Sequence, residues 1–413
     1  MKPTLFGYGL TTKAIAKKLG GGCTFFDDNA KETYTDENNN IIKPSHLFNP
    51  DKSQVEVTTP SLPPRHPLIQ KAKNLLSEYD YFLGRVGIPA HHGGHSCPPY
   101  TIWISGTNGK TTTTQMLTHI LEKRGAVSGG NIGTPLADLD EKAPIWVLES
   151  SSFTLHHTHT ASPDIYLLLP ITPDHLDWHG TPEQYEADKL KPLLTMKEGE
   201  LALVPKGLNL PKTNAYVVEY DSNAFIAEYF KLDSSKLRFK AAFLQDALLA
   251  LAVSKVLFDE ADYGLMNTFT LDEHRQEEVV DTKKRLWIND SKATNLDATI
   301  QAVKGYSDKY IHLILGGDDK GVDLTPLFEE MKTLNLTLYT IGANNEKLLA
   351  LAKIHHINSV ESKTIEVAIK EINKFHTTQT IALLSPAAAS FDQFKSYKHR
   401  GETFKELIKD LKK

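Results

Sequence analysis

A short apolar run that breaks at a glycine and re-enters as a threonine-rich helix constrains this chain more than any other stretch. It reads Tyr100-Thr-Ile-Trp-Ile-Ser105, then Gly106-Thr107-Asn108-Gly109-Lys110, then Thr111 to Thr114. A β-type segment, a glycine-bounded turn and a helix start make a strand–loop–helix unit whose successive amides and positive helix end face an anion. Gly106 and Gly109 allow the backbone to come close to that anion, and Lys110 adds a mobile cation. Thr111 or Thr112 offers a hydroxyl to a Mg2+ carried by a nucleotide. The spacing is the shortened form G-x-x-G-K-T, because Ile104 stands where the longer phosphate loop has its first glycine.

Such a unit belongs in a parallel sheet covered by helices, and the rest of the chain follows the same alternation. Residues 3 to 28 read strand, helix, strand, with Gly7-Tyr-Gly9-Leu10-Thr11 at the first turn, a helix over Lys13 to Leu19 and Asp27-Asp28 closing the second strand. That is a Rossmann-like opening. A further strand ends at Thr58-Thr59-Pro60, before a helix expected over Leu68 to Leu76. Centrally come strands at Ile145 to Glu149 and Asp164 to Leu169, a helix from Pro182, and a long apolar helix from about Ala241 to Phe258. The last third places strands at Arg285–Asn289, Tyr310–Leu315, Leu336–Ile341 and Thr380–Ser385. The expected fold class is α/β, with mostly parallel sheets.

At 413 residues the chain exceeds what one compact core holds, which implies two or three domains. The net charge of −5 without a long basic block argues against nucleic acid as the main partner and for a small-molecule substrate. Cys23 and Cys97 are the only cysteines, too few for a disulfide framework. The start lacks a signal peptide's apolar stretch and no apolar run approaches a membrane span, so the expectation is a soluble, cytoplasmic protein. Between Gly84 and Pro99 a glycine- and proline-rich stretch reads as an interdomain linker; its His91, His92, His95 and Cys97 lack the paired spacing of zinc sites. His156, His157 and His159 read as a polar loop.

Ligands of open α/β sheets gather at the carboxyl ends of the strands, and polar residues of this chain collect there. Glu149 closes one strand, and Asp174-His175-Leu-Asp177 follows the next. The following helix has Thr181 at its N-cap, Pro182 at N1 and Gln184 at N3, and carries Lys189 in its second turn. Three polar runs follow apolar strands in the last third: Asn289-Asp290-Ser-Lys292-Ala-Thr294-Asn295, Gly316-Gly-Asp-Asp-Lys320-Gly321, and Ser385-Pro-Ala-Ala-Ala-Ser390-Phe-Asp-Gln-Phe394. Three such loops on one sheet edge make a site.

In this order, Gly-Thr-Asn-Gly-Lys-Thr-Thr, Asn131-Ile-Gly, Leu-Glu149-Ser-Ser151-Ser-Phe, Asp174-His175-Leu-Asp, His274-Arg275, Asn289-Asp-Ser-Lys-Ala-Thr-Asn295 and the Gly-Gly-Asp loop resemble the Mur ligases of peptidoglycan synthesis. The resemblance covers nearly the whole chain. Ser385 to Phe394, with Tyr397 and Arg400-Gly401, resembles the branch that adds D-glutamate to UDP-N-acetylmuramoyl-L-alanine; the Asp-Asn-Pro-Arg run of the branch that adds diaminopimelate or lysine is absent.

The resemblance implies an ATP-dependent ligase acting as a monomer, with three domains: 1–90 Rossmann-like and UDP-binding, 91–272 ATP-binding, and 273–413 Rossmann-like and amino-acid-binding. It implies that Leu10, Thr11, Asp27 and Thr59 touch the UDP moiety and Asn131, Ser151 and His175 the sugar-peptide. Gly106 to Thr112, with His274, Arg275 and Asp290, would contact the nucleotide. Thr111, Glu149, His175 and a carbamylated Lys189 would hold Mg2+. Lys292, Thr294, Lys320, Ser390 and Tyr397 would bind D-glutamate, and Lys110, Lys189, His175 and Lys292 would carry the chemistry. The family's His-Asn-x-x-Asn in the long helix is replaced here by Ala242-Phe243-Leu-Gln245-Asp246. Two other classes share the phosphate loop: other amide ligases of the superfamily, such as folylpolyglutamate synthase, and nucleotide-switched binding proteins.

Overall fold

The computed structural model describes residues 2–84 and 99–411. Most of the proposed linker, including His91 to Cys97, lies outside the described residues. Three six-stranded sheets organise the chain. The first two share one compact unit, which ends at Leu237 and resumes over Asp246–Asn267; the third forms the other unit, from Arg238–Gln245 and from Thr268 onward.

The first sheet holds β1 (Thr4–Phe6), β2 (Thr24–Asp27), β3 (Tyr34–Thr35), β4 (Ile41–Pro44), β5 (Glu56–Thr58) and β6 (Leu75–Leu76), in the order β3-β4-β2-β1-β5-β6. Only β3 runs antiparallel to its neighbour. The helix after β1 spans Leu10–Lys18 and so starts before Lys13. The exposed Leu10 gives no periodic signal, while Gly9 caps the helix in extended backbone, and the Thr12 hydroxyl accepts from the Gly9 amide and donates to the Gly7 carbonyl. The helix expected over Leu68 to Leu76 is corrected. It spans only Pro67–Lys71, because Ala72 turns extended and Leu75–Leu76 pairs with Glu56–Val57 as an edge strand.

The second sheet is parallel throughout: β7 (Tyr100–Ser105), β8 (Ala126–Gly130), β9 (Ile145–Glu149), β10 (Ile165–Leu168), β11 (Leu201–Pro205) and β12 (Tyr216–Tyr220), in the order β12-β11-β10-β7-β9-β8. Covered strands of this kind read as continuous apolar runs, and all four residues of β10 are buried. Trp103, Trp146, Tyr166 and Leu168 pack into one core under the sheet. The register sets Ile104 opposite Glu149 and Ser105 opposite Leu168, so three strands end level with one another where the phosphate loop begins.

The third sheet holds β13 (Glu277–Val280), β14 (Leu286–Asn289), β15 (Tyr310–Gly316), β16 (Leu336–Ile341), β17 (Asn358–Lys363) and β18 (Thr380–Leu384), in the order β13-β14-β18-β15-β16-β17. Only β13 is antiparallel. Its central strands β14, β18 and β15 are neighbours, so the three polar loops that follow them leave from one edge.

Among the described residues one helix, Ala241–Phe258, is long and apolar enough to cross a membrane by length and composition. Every residue from Asp246 to Ser254 is buried, as in a core helix. The polar-loop reading holds for the exposed His159 and is corrected for the other two: His156 ends the helix Ser152–His156, and the buried His157 meets the Leu62 carbonyl through Nε2 at 3.0 Å. Burial pushes the His157 imidazole down to about 4. Lys189 closes the second turn of the helix Pro182–Leu190, which is also its last full turn.

Candidate active site

The loop between β7 and the helix Lys110–Leu121 is built on two glycines that no other residue replaces. Gly106 has φ 139° and Gly109 φ 82°, both in the positive-φ region that L-residues avoid. A Cβ on Gly106 would lie 2.5 Å from Leu169 Cβ, and one on Gly109 would lie 2.7 Å from Asp246 Oδ1. Asp246 therefore packs beneath the phosphate loop. Thr107 ties the loop sideways: its hydroxyl donates to the Thr172 carbonyl at 2.9 Å and lies 3.0 Å from the Tyr185 hydroxyl. Lys110 Nζ folds onto the loop, donating to the carbonyls of Gly106 (3.0 Å) and Thr107 (2.8 Å). Thr111 and the buried Thr112 open the helix behind it, and Thr112 Oγ1 finds no partner among the described residues.

Lys189 reaches the same turn from the other side. Its ammonium is buried, donates to the Gly106 carbonyl at 2.7 Å and sits 4.9 Å from the centre of the Tyr185 ring. Burial, reinforced by the charge of Lys110, holds its pKa well below the ordinary lysine value. Glu149, at the end of β9, accepts from Asn131 Nδ2 at 2.7 Å through Oε1, while its buried Oε2 has no partner among the described residues. Tyr79 donates to the Glu149 carbonyl at 3.2 Å and fixes the strand end. His175 takes a left-handed φ of 52° to cap the helix Leu176–His179, its ring edge-on to Phe153 at 4.8 Å. The charges of Lys110 and Lys189 both act on its imidazole, so these groups share one corner. Ser151 caps the helix Ser152–His156 through its hydroxyl, 3.1 Å from the Thr154 amide.

At the carboxyl edge of the first sheet a pocket opens between Gly7, Tyr8, Asp27, Asp28, Thr59 and Ser61. Asp27 Oδ2 accepts from the Tyr8 amide at 2.7 Å, which folds the β1 turn around it. Leu10 is largely exposed and Thr11 half-buried in the first turn of the adjacent helix, and neither lines this pocket. The lining Asp28 and Ser61 were missed; Asp28 carries no motif beyond its place after Asp27.

In the second unit the three polar loops meet. Ala387 donates to the Ala293 carbonyl at 3.0 Å, Asp318 and Ala389 exchange backbone hydrogen bonds, and Ser385 Oγ donates to Asp290 Oδ2 at 2.8 Å. Burial raises the Asp290 carboxyl to about 7. Beneath them lies Arg400, 1% exposed, which donates to Ser291 Oγ (3.0 Å) and to the carbonyls of Ser291 (2.8 Å) and Ala388 (3.2 Å). Lys292 Nζ stands 5.6 Å from the centre of the Tyr397 ring, Thr294 and Lys320 are exposed on their loops, and Ser390 is buried. His274 is buried rather than presented outward: its Nδ1 accepts from Asn289 Nδ2 at 2.9 Å, and a Cβ on Gly401 would fall 2.3 Å from it. Arg275 Nε lies 3.8 Å from Asp272. Arg400 enters the sequence reading only as part of the Arg400-Gly401 signature, with no role assigned, and Asn344, whose side chain accepts from the Gly317 amide at 3.0 Å, does not enter it; their partners are remote in sequence.

Residues 104–246 match the Mur ligase middle domain. A UDP-N-acetylmuramoylalanine–D-glutamate ligase of Campylobacter jejuni strain 81-176 is 47% identical over 414 residues, covering 100% of this chain and 100% of its own. The enzyme of that name from Helicobacter pylori strain J99 is 45% identical, with 99% of each chain covered. In fold, the chain is similar to the MurF ligase of Thermotoga maritima in complex with ADP, with a TM-score of 0.54 at 15% identity over 88% of this chain and 97% of that one.

Proposed function

The chain belongs to the UDP-N-acetylmuramoylalanine–D-glutamate ligases, and we propose that it forms its amide through an acyl phosphate made at the corner of Lys110, Glu149 and Lys189. It is an ATP-dependent ligase of peptidoglycan precursor synthesis, joining D-glutamate to UDP-N-acetylmuramoyl-L-alanine. Its working parts divide as 1–90 for the UDP moiety, 91–272 for ATP and 273–413 for the amino acid. The reading has a single copy of the chain working in the cytoplasm.

A carboxylate does not react with an amine at neutral pH until one of its oxygens becomes a leaving group. In the proposed sequence the L-alanyl carboxylate attacks the γ-phosphorus of ATP and ADP leaves; the amine of D-glutamate then attacks the acyl carbon and phosphate leaves. Phosphoryl transfer asks mainly for positioning and charge neutralisation. The amides of Gly106 to Thr112 and the Lys110 ammonium supply both to the phosphates. Thr111, Glu149, His175 and Lys189 would hold Mg2+, and the donor set suits it: the orphaned Glu149 Oε2 is a buried hard oxygen with no other partner among the described residues. Bound there, the metal would neutralise charge between carboxylate and phosphate.

Lys189 as an ammonium would oppose a cation. Its depressed pKa makes the neutral amine available, and that amine adds to carbon dioxide, losing a proton, to give a carbamate with two oxygen donors. Asn131, Ser151 and His175 orient the sugar-peptide; Leu10, Thr11, Asp27 and Thr59 hold the UDP. Lys292, Thr294, Lys320, Ser390 and Tyr397 receive D-glutamate, with Tyr397 under the Lys292 ammonium. His274 and Asp290 serve the nucleotide side by fixing the loop next to Arg275: the His274 carbonyl accepts from the Lys292 amide at 3.1 Å.

The observation that carries the reading is the convergence of Lys110 and Lys189 on the Gly106 carbonyl. The test of the intermediate is isotopic. With oxygen-18 in the alanyl carboxylate, one labelled oxygen should appear in the released phosphate; unlabelled phosphate would rule the acyl phosphate out.

A further inference from the structure

Three short helices carry three of the groups just assigned. Ser151 caps Ser152–His156, His175 caps Leu176–His179, and Lys189 lies in the last turn of Pro182–Leu190. At 5, 4 and 9 residues none is long enough to hold itself in water, since isolated helices shorter than about 12 residues are marginal. Their placement depends on what ties them together.

One buried carboxylate does so. Asp188 accepts Nδ1–H of His156, the last residue of the first helix, at 2.8 Å, and Nδ1–H of His179, the last residue of the second, at 2.7 Å. On its own helix it accepts from Gln184 Nε2 at 2.9 Å. The remaining nitrogen of His179 meets Ser152 Oγ at 3.0 Å, which joins the second helix to the start of the first. Phe153 stacks on His179 at 5.5 Å, and Trp178 stands edge-on to His156 at 5.2 Å, so apolar rings close the cluster. The His179 side chain is 0% exposed and that of Asp188 4%, and at such burial a charge-assisted hydrogen bond is strong and directional.

We propose that Asp188, acting through His156 and His179, is a positioning residue that sets Ser151, His175 and Lys189 against one another; this rests on the roles proposed above for those three. Asp188 precedes Lys189 in the chain, but its carboxylate faces the two imidazoles, so its effect on the reaction passes through helix placement. The three donor atoms lie within 4.8 Å of one another, a spacing that also suits a metal ion. The hydrogen bonds they make to each other favour the latch.

The test uses the full chain with Asp188→Asn, which keeps the side-chain volume but leaves one acceptor oxygen and turns an amide N–H toward the second imidazole. The expected result is a fall in kcat on the order of 10- to 100-fold, as for lost partners of metal-site residues, with the KM for D-glutamate held within about twofold. Amide hydrogen exchange should quicken over 152–157 and 175–180 and stay unchanged over Tyr100–Ser105. His156→Asn, which keeps an N–H donor, should retain more activity than His156→Leu. Wild-type kcat in Asp188→Asn overturns the proposal, as does a loss with exchange quickened throughout the chain. So does a stoichiometric transition metal that Asp188→Asn removes. Lys189→Ala separates the latch from its premise: near-normal activity in that variant sinks the assigned roles and the latch with them. An inactive Lys189→Ala beside a normal Asp188→Asn sinks the latch alone.

Discussion

At the scale of single residues the proposed mechanism turns on Lys189. A buried ammonium 2.7 Å from a phosphate-loop carbonyl would repel the cation that ATP brings, and Coulomb repulsion between buried like charges is large. Lys189→Arg keeps the positive charge and cannot form a carbamate, so ligase activity should fall by orders of magnitude. Carbon-13 bicarbonate should give a carbamate resonance in the wild type that this variant lacks; near-normal activity in Lys189→Arg would remove the carbamate from the mechanism. Glu78 makes a second prediction, on stability. Burial raises its carboxyl from 4.5 to about 8, so between those values the fold binds a proton that the unfolded chain has lost. The stability it contributes is complete below the unfolded value and is lost as pH rises through the folded one. Glu78→Gln should therefore flatten the fall in melting temperature between pH 4.5 and about pH 8; an unchanged slope would exclude Glu78 as its source.

At the scale of elements, the loops explain what was legible and what was not. The phosphate loop could be read because its glycines, lysine and threonines are contiguous, and the structure gives each glycine a reason. Gly106→Ala, with its left-handed φ and a Cβ 2.5 Å from Leu169, should lower kcat/KM for ATP by about tenfold or more, since a small displacement of phosphate donors costs on that order in rate; steady-state kinetics decide. The three polar loops of the third sheet were also legible as strand ends. What joins them was not, because Arg400 reaches Ser291 across 109 positions; the tie between Asp188 and His156 beside the second sheet, across 32 positions, leaves no periodic trace either. The edge strand Leu75–Leu76 was misread for a related reason: two adjacent leucines fit either period. Burial lowers Arg400 only to about 10, so it is charged at neutral pH. Removing it strands the carbonyls of Ser291 and Ala388, at about 1–3 kcal/mol each. Arg400→Met should raise the KM for D-glutamate at least about tenfold, with Arg400→Lys intermediate because an ammonium cannot fork. Equal losses toward ATP would point to a general fold defect.

Across the whole molecule, alternation of strand and helix announced an α/β chain, and three six-stranded sheets realise it. Short edge strands such as β3 and β6 escaped notice because two residues carry no pattern. The long apolar helix was visible from composition, and its membrane-like length is explained by burial from Asp246 to Ser254. In the proposed reaction sustained turnover of ATP needs both the UDP-sugar-peptide and the amino acid, because the acyl phosphate made from the first is consumed by the amine of the second. The most direct test measures inorganic phosphate released from ATP with UDP-N-acetylmuramoyl-L-alanine and D-glutamate together, with either alone, and with neither. The expected result is sustained release only with both, one phosphate for each amide formed; equal release with neither present would contradict it.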